Sequence, residues 1–294
     1  MKAVGVDIGG TNIEAGLVNS RGKILKRVSV KTEASKGRKV VLKNIFNAID
    51  KVITKDVKGI GVGAPGPIDL KKGSIGKTVH MPLHNVPLRK IIKERFRKPV
   101  FFDNDANCFT FGESVFGAAK GMKNVVGLTI GTGVGSGIII NKQIYHGRNN
   151  AGELGHIIIN FDGLKDTKGI SGSLENHVGK LAIKRYSKGI AKNPLELYEK
   201  AAKGNYKAER IWGNVGKYLG VGIISIIHGL DPDVVVVGGN ISKAWRFFNG
   251  SMKQEMKKRS LFKPCAVVKS KLGDKAAVLG AASLVFSPKN IYRN

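Results

Sequence analysis

One pattern recurs in this chain and limits the folds open to it: an apolar strand, a tight glycine turn and a second apolar strand. It appears first where Ala3-Val4-Gly5-Val6 runs into Asp7-Ile8-Gly9-Gly10-Thr11-Asn12 and on into residues 13–18. It appears again where residues 125–130 run into Gly131-Thr132-Gly133 and on into residues 134–140. A glycine tip lets backbone N–H groups come close to phosphate oxygens, because no Cβ stands in the way. The same sequence also suits an ordinary hairpin turn. Asp7 can hold a hydrated Mg²⁺, and Thr11 adds a hydroxyl donor. Two copies in 294 residues suggest a distant internal duplication.

The remaining periodicity fits two α/β halves. Val41, Ile45, Ala48, Ile49 and Val52 predict a helix over 39–54. A strand over 24–30 precedes it. A buried strand over 57–64 ends at Pro65-Gly66-Pro67, and a helix over 88–96 follows. A short strand over 100–102 runs into Asp103-Asn104-Asp105-Ala106-Asn107 and a helix over 106–119. In the second half, strands are predicted over 143–145, 155–160, 234–237 and 266–269. Helices are predicted over 174–186, 194–203, 207–230, 245–258 and from 275 on. Strands alternating with helices in each half predict an α/β fold with mixed sheets in two domains, and a cleft between such domains commonly takes a ligand.

Composition narrows the partners. Hydrophobic residues make up 42% and aromatics 7%, enough for packed cores. Cys108 and Cys265 make no disulfide framework and fit a reducing cytoplasm. The apolar run between Lys2 and Asp7 is too short for a signal peptide. The longest apolar run, 221–230, is broken by Gly222, Ser225 and His228, so no membrane span is expected. Lys and Arg number 50 against 21 Asp and Glu, a net charge of +29 that attracts polyanions. The excess is spread along the chain, with only short runs at Lys71-Lys72 and Lys257-Lys258-Arg259. Lysines outnumber arginines 38 to 12, whereas base reading relies on arginine forks. The charge reads as a generally basic, solvated surface rather than a nucleic-acid footprint.

Seven stretches, in this order, resemble the ROK family of sugar kinases in the actin-like ATPase superfamily. They are residues 7–12 (DIGGTN), 61–69 (GVGAPGPID), 104–107 (NDAN), 112–121 (GESVFGAAKG), 131–137 (GTGVGSG), 147–156 (GRNNAGELGH) and Gly238-Gly239. The resemblance implies two actin-like (ribonuclease H-like) domains around a cleft. Residues 1–117 would form the sugar and phosphate side, joined by the terminal helix 275–294. Residues 118–274 would form the nucleotide side and the dimerisation surface. Donor phosphates would lie between Asp7, Gly9, Gly10, Thr11 and Asn12 on one side and Gly131, Thr132 and Gly133 on the other. Gly238 and Gly239 would lie beside adenosine. The implied cofactors are ATP and Mg²⁺, the latter held by Asp7 through water or phosphate. The implied setting is a cytoplasmic homodimer acting in glycolysis.

The resemblance also assigns the chemistry. Asp105 would be the general base that takes the proton of the sugar hydroxyl; as plain residues, Asn104 or Asp105 also suit a helix N-cap. Asn104, Asp105, Glu153, His156 and Glu175 would fork hydrogen bonds to sugar hydroxyls, with Gly66 lining the site through its backbone. The bland readings are a structural histidine for His156 and surface carboxylates for Glu153 and Glu175. The expected reaction is ATP-dependent phosphorylation of a hexose, glucose at the 6-hydroxyl. Mannose, fructose, N-acetylmannosamine, glucosamine and allose are alternatives, as is polyphosphate as donor. Family regulators carry a helix-turn-helix domain before the first glycine motif; with six residues before Asp7, a kinase rather than a DNA-binding regulator is expected. Two departures stand out. Where relatives place zinc-binding cysteines, this chain reads Lys168-Gly169-Ile170-Ser171-Gly172-Ser173-Leu174-Glu175, so no structural zinc is expected and loop 161–173 needs other support. His80-Met81-Pro82 stands where relatives often have an asparagine, and His80 or His84 is a candidate replacement.

Overall fold

The structure is a computed structural model and describes residues 1–78, 81–166 and 169–287. His80, Lys168 and the last seven residues of the expected terminal segment therefore lie outside the described residues. In chain order the elements are β1 (Lys2–Ile8), β2 (Asn12–Asn19), β3 (Ile24–Lys31), α1 (Arg38–Asp50) and β4 (Val57–Ala64). Then come β5 (Ile68–Asp69), β6 (Ser74–Ile75), α2 (Leu88–Phe96), β7 (Val100–Asn104) and α3 (Asp105–Phe116). The second half holds β8 (Val125–Ile130), β9 (Val134–Ile140), β10 (Gln143–Ile144), α4 (Leu174–Val178), α5 (Lys180–Tyr186), α6 (Pro194–Ala202) and α7 (Tyr206–Leu230). It closes with β11 (Val234–Gly238), α8 (Trp245–Arg259), β12 (Ala266–Lys269) and α9 (Ala276–Phe286).

The repeated motif becomes a repeated topology. One five-stranded sheet has the order β3-β2-β1-β4-β7 and the other β10-β9-β8-β11-β12, the same arrangement position for position. In the first, β1–β3 form an antiparallel meander, while β1, β4 and β7 run parallel. Chain proximity divides the protein into two compact units. Unit 1 takes Met1–Gly127, Gly137–Gly152 and the chain from Lys271; unit 2 takes Leu128–Ser136 and Glu153–Ser270.

Unit 1 buries Val4, Val6, Ile8 and Ile13 of the first hairpin with Ile60 and Val62 of β4 and Val41, Ile45 and Ile49 of α1. Val52 belongs to the same core, which explains why helical spacing continues to residue 54 although α1 ends at Asp50. Unit 2 centres on α7, whose Trp212 packs on Phe248 of α8 at a ring distance of 6.5 Å. The Ala-rich composition of α9 has a steric cause. A Cβ on Gly280 would stand 1.7 Å from the Cys108 carbonyl oxygen of α3, and one on Gly61 of β4 would stand 1.7 Å from the Ala281 carbonyl oxygen. α9 thus lies backbone to backbone on both. Gly280→Ala is expected to destabilise the protein by about 3 kcal/mol, read as a lower urea midpoint at unchanged slope. A fully buried carboxylate, Glu113, anchors the start of this terminal segment: it accepts the Ala118 and Leu272 N–H groups at 2.7 and 2.9 Å.

Three expected elements differ. Residues 155–160 are not a strand. Leu154–His156 form a 3₁₀ turn, and Ile158 makes only an isolated bridge to Ser173. The Ser136 hydroxyl accepts the Leu154 N–H at 2.9 Å, and the Ile159 and Asn160 N–H groups both turn to the Gly172 carbonyl, so no ladder can form. The expected helix over 174–186 breaks at Gly179 into α4 and α5, because the Lys180 N–H leaves the helical ladder for the Gly131 carbonyl at 3.0 Å. The helix expected over 106–119 is α3, which starts one residue earlier and ends at Phe116, where Glu113 takes the next backbone donors.

Candidate active site

In unit 1, Asp7 of β1 pairs in register with Gly63 of β4, and Gly63 and Ala64 pair with Asp103 and Asn104 of β7. Asp7, the Pro65-Gly66-Pro67 turn and Asn104-Asp105 therefore emerge together at the carboxyl ends of three parallel strands, where open α/β sheets bind ligands. Asn104 is the N-cap of α3; its Oδ1 accepts the Ala106 and Asn107 N–H groups at 2.8 and 3.2 Å. Asp105 is the first helical residue, facing the positive end of the helix. Both the cap and the candidate base are thus present, on adjacent residues. The carboxyl of Asp7 is pushed up to about 7 by burial first, then by the charges of Asp105 and Glu14, with Arg27 opposing. Cys108, beside the same carboxylates, has its thiol pushed well up by burial and is not a nucleophile.

The first glycine turn is pinned from below. The Gly9 N–H donates to the Asn12 carbonyl at 3.0 Å, and the hydroxyl of buried Thr32 donates to the Gly9 carbonyl at 2.6 Å. Gly10 and Thr11 are exposed at the tip.

The sequence reading missed a network beneath this edge. Asp103 is fully buried; its Oδ1 accepts the Asn107 side-chain N–H at 2.9 Å, and His146 Nε2 lies 2.8 Å from its Oδ2. Asn149 and Asn150 bond to the backbone of Ile68 and Leu70, just beyond Gly66. The one available signal was the position of His146, Asn149 and Asn150 in and beside the glycine-rich stretch before Glu153.

Unit 2 carries the other expected residues. The Gly131 N–H donates to the Gly133 carbonyl at 2.9 Å, leaving Thr132 exposed at the tip. Glu175 bonds to this turn: its Oε2 accepts the Val134 N–H at 2.8 Å. Glu153 and His156 flank the 3₁₀ turn, half exposed, with Oε2 and Nε2 3.9 Å apart. Gly239 has a φ of 80°, and a Cβ there would meet the Ile130 carbonyl oxygen at 2.4 Å, so the residue must be glycine on both counts. Asn104, Asp105, Gly66 and Asp7 thus belong to unit 1, and Glu153, His156, Glu175 and Gly238-Gly239 to unit 2.

Among the described residues of loop 161–173, hydrogen bonds supply the support. Ser173, at the position of the last zinc thiolate in relatives, is the N-cap of α4 and accepts the Asn176 N–H at 3.2 Å. The Asn176 amide donates to the Leu164 and Ile170 carbonyls at 3.0 and 2.9 Å, and buried His177 has Nδ1 2.8 Å from the Ser173 carbonyl oxygen. No cluster of three His, Cys, Asp or Glu placed to hold a metal occurs among the described residues. Because hydrogen bonds hold this loop, a zinc chelator is expected to leave the thermal midpoint unchanged, whereas Asn176→Ala is expected to lower it by about 2–4 °C. His84 presents its carbonyl to Arg38 at 3.4 Å and bridges to Ile75. No described helix is long and apolar enough to cross a membrane.

Comparison with known proteins agrees with this geometry. The ROK family model matches residues 3–287. A glucokinase from Thermotoga maritima is 33% identical over 97% of each chain. A xylose repressor from Caldicellulosiruptor bescii is 28% identical over 97% of this chain and 78% of its own. The crystal structure of a ROK family glucokinase from Streptomyces griseus, in complex with glucose and AMPPNP, superposes with a TM-score of 0.84 at 29% identity, covering 97% of this chain and 99% of that one. With its two like-ordered mixed sheets and its motifs from Asp7 to Gly239 in place, this chain belongs to the ROK family and has the actin-like ATPase fold.

Proposed function

We propose that the protein transfers the γ-phosphoryl group of ATP to a hexose, with glucose at its 6-hydroxyl as the preferred acceptor. The observation that carries this reading is the carboxylate pair at the strand ends: the pairing of Asp7 with Gly63, and of Gly63 and Ala64 with Asp103 and Asn104, brings Asp105 to the same edge as Asp7, where their charges oppose each other. Like charges set together cost the fold stability, and such a cost is characteristic of sites built for chemistry. Phosphoryl transfer needs in-line positioning, charge neutralisation and a group to receive the acceptor proton. Asp105 fills the last role, its carboxylate taking the hydroxyl proton as the new O–P bond forms and the bond to ADP breaks.

The other residues bind and orient. Asn104 offers its amide N–H groups to a sugar hydroxyl while its oxygen stays on the α3 cap. Glu153, His156 and Glu175 offer further forks, and Gly66 lines the sugar through its backbone. Gly9, Gly10, Thr11, Asn12, Gly131, Thr132 and Gly133 offer donors to the phosphates, and Gly238-Gly239 a flat approach for adenosine. The raised pKa of Asp7 fits a cation held there through water or phosphate; Mg²⁺ bound with the nucleotide supplies charge neutralisation. The glucokinase relative and the glucose-bound structure support glucose as the acceptor.

The test is ADP release with ATP and each of glucose, mannose, fructose, glucosamine, N-acetylmannosamine and allose, then with polyphosphate as donor. Glucose with ATP is expected to give the highest kcat/KM. A higher value for another hexose would reassign the acceptor, and activity with polyphosphate alone would reassign the donor. The similarity to a xylose repressor motivates one control, a DNA titration at low salt, which is expected to show no specific site.

A further inference from the structure

Residues 146–150 hold none of the roles above, yet three of these side chains reach distant loops of the same unit. His146 Nε2 lies 2.8 Å from Asp103 Oδ2, across 43 residues of chain. Asn149 accepts the Leu70 N–H at 3.2 Å through Oδ1 and donates through Nδ2 to the Ile68 carbonyl. Asn150 Oδ1 accepts the Ile68 N–H at 3.1 Å. Asp103 immediately precedes Asn104 and Asp105, and Ile68 follows directly on Pro65-Gly66-Pro67. One short segment is therefore bonded both to the end of β7, next to Asn104 and Asp105, and to the β5 stretch that follows Gly66.

The chemistry of the His146 contact is specific. Where the Asp103 carboxylate is the acceptor, Nε2 is the donor, because an ionised carboxylate can only accept. The bond reaches a fully buried carboxylate from a ring that is 14% exposed, so water cannot readily replace it. Asp103 uses its other oxygen to hold Asn107 in the first turn of α3, the turn that Asp105 begins. Displacing His146 would loosen the carboxylate that orients this turn.

We infer that His146, Asn149 and Asn150 are positioning residues of the phosphoryl-acceptor site. They fix the Gly66 loop against the Asn104-Asp105 segment and thereby set sugar affinity and orientation, leaving nucleotide affinity untouched. The inference rests on the kinase reading of Asp105. A misplacement of about 1 Å near reacting atoms can cost about 100-fold in rate, so hydrogen bonds that only hold a loop can control turnover.

The experiment uses the full chain with His146→Leu, His146→Gln, Asn149→Ala and Asn150→Ala. It measures kcat, KM for sugar and for ATP, and backbone amide exchange at Ile68 and Leu70. His146→Leu and Asn149→Ala are expected to lower kcat/KM for sugar by about 10–100-fold, with KM for ATP within about twofold of wild type. His146→Gln retains an N–H donor toward Asp103 and is expected to recover most of the loss. Exchange is expected to quicken by about tenfold at Leu70 in Asn149→Ala and at Ile68 in Asn150→Ala. Unchanged sugar kcat/KM in folded variants, or equal rises in both KM values, overturns the inference. If His146→Leu does not fold, Asn149→Ala decides alone by the same criteria. If the wild type turns over no sugar, the kinase reading fails, and sugar affinity by calorimetry judges these residues instead. There, about tenfold weaker binding in Asn149→Ala supports them, whereas unchanged binding, or no sugar binding by the wild type, rejects them.

Discussion

Asp105→Asn is expected to lower kcat for sugar phosphorylation by about 10²–10⁴-fold while leaving KM for ATP within about twofold. The substitution removes the proton acceptor and the charge that helps raise the Asp7 carboxyl, while the backbone contacts at the start of α3 can persist. Asn104 keeps the α3 cap, with its Oδ1 on the Ala106 and Asn107 N–H groups. Asp105 Oδ1 itself accepts the Ala106 N–H at 2.8 Å, and the amide oxygen of asparagine can do the same. The thermal midpoint is therefore expected to stay within about 2 °C of wild type. A kcat within threefold of wild type would remove Asp105 from the mechanism. A drop accompanied by unfolding would make it structural.

The second large effect separates activity from stability at Asp7. Its carboxyl is raised from 3.8 to about 7, chiefly by burial and then by Asp105 and Glu14. Between those two values the folded protein binds more protons than the unfolded chain, so ligand-free stability falls as pH rises through that window and stays low above it. Three pH units correspond to about 4 kcal/mol as an upper bound. Asp7 is partly exposed, and screening reduces the expected penalty to about 1 kcal/mol. Asp7→Asn should thus raise the thermal midpoint of the ligand-free protein by about 2–4 °C at about pH 8, and not at about pH 4. The same variant is expected to lose about 100-fold in Mg²⁺-dependent turnover, because a neutral amide offsets the charge of a cation poorly. Equal stability at both pH values would show that Asp7 carries no such strain.

Much of the fold was legible because its signals are local. The strands over 57–64, 125–130, 134–140 and 266–269 and the helix over 88–96 fall where apolar spacing placed them. The glycine turns also fall at the tips where the repeat put them. What failed depended on partners far away in the chain. Residues 155–160 carry a short apolar run like a strand, but the Ile159 and Asn160 N–H groups go to Gly172 and those of His156 and Ile157 back to Glu153 and Leu154, and helical spacing over 174–186 gave no hint that Lys180 would turn to Gly131. The Asp103–His146 pair was illegible for the same reason, since 43 residues separate partners that only the sheet topology brings together. Ser173 and Asn176 show the converse case. The missing cysteines were plain in the sequence, but the cap and the bridging amide that support the loop were visible only as contacts.

The same contrast governs the site. The carboxylates and glycines of the proposed site stand in motifs, while the groups bonded to them do not. Asn104 shows how far local signals reach: the sequence offered Asn104 or Asp105 as the N-cap of this helix, and the structure places Asn104 there. The excess positive charge, +29 in all, is spread along the chain.

The most direct test is transfer of label from γ-phosphate-labelled ATP to glucose, with wild-type protein and Asp105→Asn side by side under Mg²⁺. Labelled glucose 6-phosphate and stoichiometric ADP are expected from the wild type, and at least 100-fold less, on the order expected for loss of a general base, from the variant at equal folded fraction. No label transfer to any hexose by folded, sugar-binding wild-type protein would contradict the kinase reading.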